Sequence, residues 1–147
     1  MNNRLLNRLL STEAHWAPVA LRLPAGIIFM AHGAQKLFGW FGGYGLEGTA
    51  QFMESIGLQP GYEMALLSGS AEFFGGLALI IGLLVRPAAA VLAFTMIMAI
   101  VTVHLSNGLF LANDGYEFAL SLLAVTLSLV LSGAGYLSVD ARLNKRI

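Results

Sequence analysis

The sequence predicts an all-α integral membrane protein, a bundle of four transmembrane helices, and three observations support this prediction. Of the 147 residues, 57% are hydrophobic and only 11% are charged, whereas a soluble domain carries about a quarter charged residues. Four stretches are apolar over nearly the roughly 20 residues that a membrane-spanning helix needs. The basic residues outside these stretches fall on one side of a four-span arrangement.

The composition also argues against several classes of function. Eight basic and eight acidic side chains give a formal net charge of zero, which argues against a nucleic-acid partner because such a partner requires a basic patch. The chain has no cysteine. Disulfide, thiol-exchange, iron–sulfur and cysteine-ligated zinc chemistry within this chain are therefore excluded.

Residues 1–16 precede the predicted membrane domain. This segment contains Arg4 and Arg8 but no apolar run of signal-peptide length, so we expect it to be retained on the cytoplasmic side or at the interface. Its leucine and arginine pattern is typical of a short amphipathic helix lying on a membrane surface. A frayed tail is the alternative.

The membrane domain is predicted to occupy residues 17–139, followed by a cytoplasmic tail at residues 140–147. Its four spans are predicted at about Ala17–Phe38, Tyr62–Val85, Pro87–Leu105 and Gly115–Leu131.

The basic residues predict the orientation of these spans. The loops at residues 39–61 and 106–114 contain no Lys or Arg. The opposite side carries Arg4, Arg8, Arg86, Arg142, Lys145 and Arg146. Because cytoplasmic loops are enriched in Lys and Arg, both termini are expected in the cytoplasm, with the chain in the cytoplasmic (inner) membrane of a bacterium.

The loop between the first two spans is long enough to cover one end of the bundle. Residues 39–45 are rich in glycine and aromatic residues, which suit the membrane interface. A short helix is predicted over Thr49–Ile56, with Thr49 as its N-cap and Gly57 ending it. Asp114 is similarly predicted to cap the fourth span. The loop is either a lid over the bundle or an ordinary connector.

Ionisable residues inside or at the ends of the spans form the candidate ligand-binding site. They are Arg22, His32, Lys36, Glu72, His104 and Glu117. Such groups are costly at membrane depth and usually face a bundle interior or a wet cavity. In the predicted orientation all of them except Arg22 lie in the outer half of the membrane. We expect these five side chains to line one pocket that opens outward under the 39–61 loop.

Glu72 has the clearest inward-facing pattern. The residues three and four positions away from it are all small, as in close helix contacts within membranes: Ser68, Gly69, Gly75 and Gly76. A buried carboxylate needs compensation, so Glu72 is expected to pair with Lys36 or Arg22, or to be protonated. The alternative is a purely structural ion-pair network, with His104 and Glu117 as solvated helix ends.

Three ligand chemistries fit these side chains to different degrees. Two histidines could ligate a haem, and histidines with carboxylates could hold a metal ion, but the chain has no spaced ligand motif such as HExxH. A quinone fits better, because His32 and Lys36 share a helix face and can donate to its carbonyl groups, while a carboxylate can take up protons. Its head would enter from the bilayer beside Trp40 and Phe41. No metal is predicted.

Three stretches resemble the DoxX family of small bacterial and archaeal four-helix membrane proteins. They are His32–Gly39 with the Gly-rich loop through Leu58, Gly69–Gly76 with Gly82–Arg86, and His104 with the Asn107-Gly and Gly115-Tyr-Glu117 segments. The resemblance covers about Arg22–Val139. It implies the four-helix fold and membrane residence, and it places the six candidate residues where the family's recurring polar residues sit. It also implies a redox setting, since related members are associated with thiosulfate:quinone oxidoreduction, redox-stress complexes and resistance to quinones or catechols.

The function predicted from these features is a quinone- or phenol-interacting membrane subunit in oxidoreduction or redox-stress protection. It would work with membrane or peripheral redox proteins and could form a homo-oligomer, and whether it is itself an enzyme stays open. One alternative is a non-enzymatic scaffold or assembly protein whose polar network is structural. Another is a transporter of a small hydrophobic or anionic molecule, with Arg22 and Lys36 as counter-charges.

Overall fold

The computed structural model describes residues 15–144, and within this range the chain is helical and contains no strand. The helices are α1 (Ala17–Phe38), α2 (Gly45–Ser55), α3 (Gly61–Ile81), α4 (Val85–Ala99), α5 (Glu117–Ser132) and α6 (Val139–Asn144). A π-type turn at Ile100–His104 prolongs α4, and 3₁₀ turns occupy Trp40–Gly42, Leu105–Asn107 and Leu111–Asn113. The predicted amphipathic helix in residues 1–16 falls almost entirely outside the described residues.

Three helical segments are long and apolar enough to cross a membrane. They are Ala17–Phe38, Gly61–Ile81 and α4 with its extension, Val85–Asn107. The helix α5 is also apolar but has 16 residues, fewer than the roughly 20 that usually span the hydrocarbon core. The all-helical membrane class is therefore confirmed, and a fourth span stays a prediction.

Glycines in the left-handed conformation end α1 and α3. Gly39 and Gly82 both have φ of 71°, a backbone conformation that costs other residues a steric clash. The helix α3 consequently ends at Ile81, four residues before the predicted Val85. Pro87 lies in the first turn of α4, where no backbone N–H is needed.

Two predicted helix caps are wrong. The helix α2 begins at Gly45, so Thr49 lies inside it, and the Thr49 hydroxyl donates to the carbonyl of Gly45 at 2.7 Å. The residue before α5 is Tyr116, and Asp114 instead adopts a left-handed conformation with φ of 58°. In both places the loop backbone enters the helix at a different residue from the one that side-chain preference alone favours.

The bundle core is formed by one large apolar side chain from each long helix. Phe29 of α1, Leu79 of α3, Leu92 of α4 and Leu129 of α5 are all at most 1% exposed. The closest helix pair is α1 with α3, and α3 with α4 and α4 with α5 also pack side by side. In contrast, α1 and α5 touch much less. The α1–α3 side of the bundle is therefore the tightest, and the α1–α5 side is the loosest.

Candidate functional site

Close contact between α1 and α3 positions the candidate site. A side chain at Gly33 would place its Cβ 2.7 Å from the Cα of Phe73 and 2.8 Å from the carbonyl oxygen of Gly69. A side chain at Gly76 would meet the backbone of Gly26 at 2.6 Å. Only glycine fits at such distances, and the two helix backbones therefore approach closely. This approach brings the last turn of α1 opposite the middle of α3.

Lys36 of α1 and Glu72 of α3 form an ion pair at this level. The ammonium group donates to both carboxylate oxygens of Glu72. The Glu72 side chain is 4% exposed, whereas that of Lys36 is 28% exposed. The prediction that Glu72 contacts a basic group across the bundle is confirmed, and its partner is Lys36 and not Arg22.

His32 lies one helical turn before Lys36, so the two side chains share a face of α1. Its side chain is exposed at the surface of the described chain. Its ring lies 6.2 Å from that of Phe118 on α5, with the two planes tilted by 47°. An imidazole thus stands next to the buried ion pair on one side and an aromatic ring on the other.

His104 and Glu117 bind the backbone of the loop that joins α4 to α5. The Nδ1 atom of His104 donates to the Asp114 carbonyl at 2.7 Å, and a carboxylate oxygen of Glu117 accepts from the Leu111 N–H at 2.6 Å. Asn107 also donates to the Asp114 carbonyl, at 3.3 Å. These two predicted site residues therefore brace the 105–117 loop, and the structure places neither of them in hydrogen-bond contact with Lys36 or Glu72.

Arg22 lies near the opposite end of α1, 14 residues before Lys36, or about 21 Å along a helix. It is 1% exposed. Its guanidinium donates to the carbonyls of Leu79 and Ile80 at the end of α3, at 2.8 and 2.7 Å. Its remaining bonds go to the carbonyls of Ala134, Tyr136 and Leu137 at 3.0, 3.2 and 2.7 Å. Arg22 thus satisfies carbonyls that a helix end leaves without intrahelical partners, far from the Lys36–Glu72 pair.

Asp140, which was expected only as part of the tail, lies at the same end of the bundle as Arg22. Its carboxylate accepts from the backbone N–H groups of Leu84 and Val85 at 2.8 and 2.9 Å, at the start of α4. Burial raises the pKa of Asp140, an effect that the two N–H donors and the charge of Arg22 oppose. Carboxylates commonly accept hydrogen bonds from N–H groups at a helix N-terminus. Because Asp140 follows the start of α4 by 55 residues in the chain, only the folded structure reveals this contact.

The helix α2 is docked where α1 ends and α3 begins. Ala50 and Met53 of α2 pack against Ala65 of α3 in a small second core. The Thr49 hydroxyl also lies 3.3 Å from the carbonyl oxygen of Lys36, and the side chain of Gln35 donates to the Phe41 carbonyl at 3.3 Å. The 39–61 loop is thereby fixed directly above Lys36. Thr49 was not predicted to lie near the site, because its hydroxyl was expected to cap the helix at Thr49–Ile56.

His32, Lys36 and Glu72, called the outer cluster after the side of the membrane on which the sequence predicts them, can donate hydrogen bonds and accept protons. The ammonium and a protonated imidazole are donors, and the imidazole and the carboxylate are proton acceptors. Such groups suit a ligand with carbonyl or phenolic oxygens. Among residues 15–144, no group of three or more His, Asp or Glu side chains is placed to hold a metal ion.

Comparison with known proteins gives consistent matches. A family model described as DoxX matches residues 17–105. A Bacillus subtilis (strain 168) protein named "Putative oxidoreductase CatD" is 39% identical over 120 residues, which cover 82% of this chain and 81% of that protein. No solved structure matches the chain significantly.

Two further relatives carry membrane names. The "Uncharacterized membrane protein Rv3486" of Mycobacterium tuberculosis is 34% identical over 150 residues, covering 95% of this chain and 88% of that protein. The "Inner membrane protein YqjF" of Escherichia coli (strain K12) is 34% identical over 130 residues, covering 85% of this chain and 90% of that protein. Similarity to membrane proteins thus extends beyond the residues that the family model matches.

Proposed function

Because this chain belongs to the DoxX family of membrane proteins, we propose that it binds a quinone or phenol in the bacterial cytoplasmic membrane as a subunit in oxidoreduction or redox-stress protection. The Lys36–Glu72 ion pair with the adjacent exposed His32 is the observation that carries the proposal. The name of the Bacillus subtilis relative supports an oxidoreductive setting.

The chemistry of the outer cluster supports this class of ligand. A quinone or phenol has a planar apolar ring and one or two polar oxygens, so it partitions into a bilayer and needs donors at membrane depth. His32 and Lys36 supply such donors, and the carboxylate of Glu72 fixes the position of the ammonium by accepting hydrogen bonds from it. When the ligand gains or loses protons during a redox cycle, the imidazole can exchange them.

The membrane arrangement belongs to the same proposal. We place α5 as the fourth span, although its 16 residues reach only about 24 Å, because it packs against α4 and contributes Leu122 and Leu129 to the core. Four spans put Arg86 and Arg142 on one side of the membrane, which by the positive-inside rule is the cytoplasm. The outer cluster then lies in the outer half of the membrane, with α2 as its cover.

Binding of a quinone analogue to the purified full-length protein tests the proposal. His32→Ala and Lys36→Ala should each weaken binding about tenfold or more, since a lost charge-assisted hydrogen bond is worth roughly 1.5–3 kcal/mol. His32 is exposed, so its substitution leaves the core intact. Arg142→Ala, which removes an exposed cation outside the outer cluster, is the control. Equal affinities for wild type and His32→Ala would overturn the ligand assignment.

A scaffold role is the second candidate, and the near-complete burial of Glu72 favours it. Buried ion pairs can lock helices together without binding anything. In that case the purified protein should carry fixed protein partners and show no saturable binding of quinone analogues. The same binding measurement therefore separates the two candidates.

A further inference from the structure

The seam between α1 and α5, defined in its outer half by His32 and Phe118, is the least closely packed side of the bundle. The pairs α1–α3, α4–α5 and α3–α4 are all in closer contact than α1–α5. At the inner end, Arg22 of α1 joins the chain just after α5 by its bond to Ala134. At the outer end, the ring contact between His32 and Phe118 bridges the two helices. The seam is thus closed at its inner end and loosely bridged at its outer end.

Exposure follows the same pattern. Phe118 is 41% exposed and His32 is exposed, while Glu72, the partner of Lys36, is buried. The partial exposure of Lys36 shows that the ion pair is reachable from outside the bundle. From the water side, α2 lies over Lys36 and Thr49 contacts its carbonyl oxygen. A ligand approaching through the seam would meet His32 first, without displacing α2, and Lys36 lies one turn further along the same face of α1.

We propose that a quinone or phenol head reaches the outer cluster laterally from the bilayer through this seam, and that Phe118 contacts its ring. An exposed imidazole within a span is costly unless it meets water or a polar ligand. Phe118 offers an aromatic face or edge beside that imidazole, and aromatic rings pair favourably at centroid distances of about 4.5–7 Å. The inference rests on the proposed function and replaces the approach beside Trp40 and Phe41 that the sequence suggests.

Phe38, Trp40 and Phe73 form a separate group of aromatic rings on the other side of α1. Phe38 packs against Trp40 at 5.0 Å and against Phe73 of α3 at 5.4 Å between ring centroids. These rings cover the tightly packed α1–α3 contact, where glycine backbones leave no gap. This side of the bundle therefore offers an interfacial anchor and not a passage to Glu72.

Photolabelling of the full-length protein in lipid nanodiscs with an azido-ubiquinone analogue tests the route. We expect the label on the peptide that contains Phe118, and we expect unlabelled quinone to compete with it. Phe118→Ala should lower the affinity for the analogue about tenfold, whereas Phe118→Trp should lower it little. Phe94→Ala is the matched control, because Phe94 is 62% exposed on α4, away from the seam.

The outcomes separate this inference from the proposed function. If the label falls near Trp40 and Phe118→Ala binds as wild type does, the lateral route is wrong and quinone binding stands. If wild type shows no saturable labelling, both fail. If Phe118→Ala does not fold, the labelled peptide in wild type decides: labelling at Phe118 supports the route, and labelling elsewhere overturns it.

Discussion

Lys36 and Glu72 face each other across the α1–α3 contact, and the ammonium is partly exposed while the carboxylate is almost fully buried. The exposed partner can change its contacts, because water or a ligand oxygen can replace part of its hydrogen bonding. The buried Glu72 carboxylate cannot change its contacts in this way, because a carboxylate buried without a partner loses its hydration and gains no hydrogen bonds in exchange. This asymmetry makes Lys36 the member of the pair that is available to a ligand and Glu72 the member that fixes it.

Removing the buried carboxylate should destabilise the fold. Glu72→Ala removes two charge-assisted hydrogen bonds at a buried position. We expect a loss of roughly 1.5–3 kcal/mol in the free energy of unfolding, measured by thermal unfolding in detergent, because the partly exposed Lys36 ammonium can still be hydrated. Glu63→Ala, which changes an exposed carboxylate on the same helix, should be nearly neutral. An unchanged midpoint for both Glu72→Ala and Glu72→Leu would contradict an interior ion pair.

The close approach of α1 and α3 should not tolerate a side chain at Gly33. In Gly33→Ala the new methyl group collides with the backbone of Phe73 and Gly69, so the helices must separate, at a cost of roughly 1–3 kcal/mol or more. Gly75→Ala is the comparison, because its methyl group would meet only the side chain of Leu92, at 3.0 Å or beyond. Similar melting midpoints for the two variants would show that the α1–α3 contact is looser than described.

We expect Arg22 to stabilise the fold and not to contact a ligand. Arg22→Lys keeps the charge but offers three N–H donors where the guanidinium uses its fork to reach five carbonyls. We expect a lower melting midpoint and unchanged affinity for a quinone analogue in the protein that remains folded. A loss of affinity without a loss of stability would instead place Arg22 in a ligand site, as the sequence analysis assumed.

Asp140 should make the free energy of unfolding depend on pH. Because burial raises its pKa in the folded state, the native protein binds a proton more tightly than the unfolded chain, and this contribution to stability falls as pH rises above the ordinary value of 3.8. The free energy of unfolding of wild type, measured against that of Asp140→Asn between pH 4 and about pH 6, should therefore decrease with pH. A rising difference would mean that the N–H donors and Arg22 outweigh burial.

The proposed topology can be tested cleanly because the chain has no native cysteine. A single cysteine at Glu47, exposed on α2, should react with a membrane-impermeant maleimide in intact cells. A single cysteine at Asn144, exposed at the end of α6, should react only after lysis. The reverse pattern would invert the orientation, and reaction of both sites in intact cells would rule out an even number of spans.

The sequence by itself determined the class of the protein, the bounds of α1 and the inward direction of Glu72. Each of these depends on local information: apolar run length, the glycine that ends a helix, and small residues at helical spacing. Of the five side chains expected to line one pocket, the structure pairs Lys36 with Glu72, and His32 shares a helix face with Lys36 by spacing alone. His104 and Glu117 instead bind the backbone of the 105–117 loop.

Only the tertiary structure decided which partners these groups take. Arg22 binds carbonyls 57 to 115 residues away in the chain, Asp140 caps a helix 55 residues before it, and His32 meets Phe118 across a seam. Such pairings depend on the relative rotation and height of packed helices, which are set by the sum of many contacts and leave no signature in any one stretch. For the same reason, the tight sides of the bundle and its loose α1–α5 side became visible only once the helices were assembled.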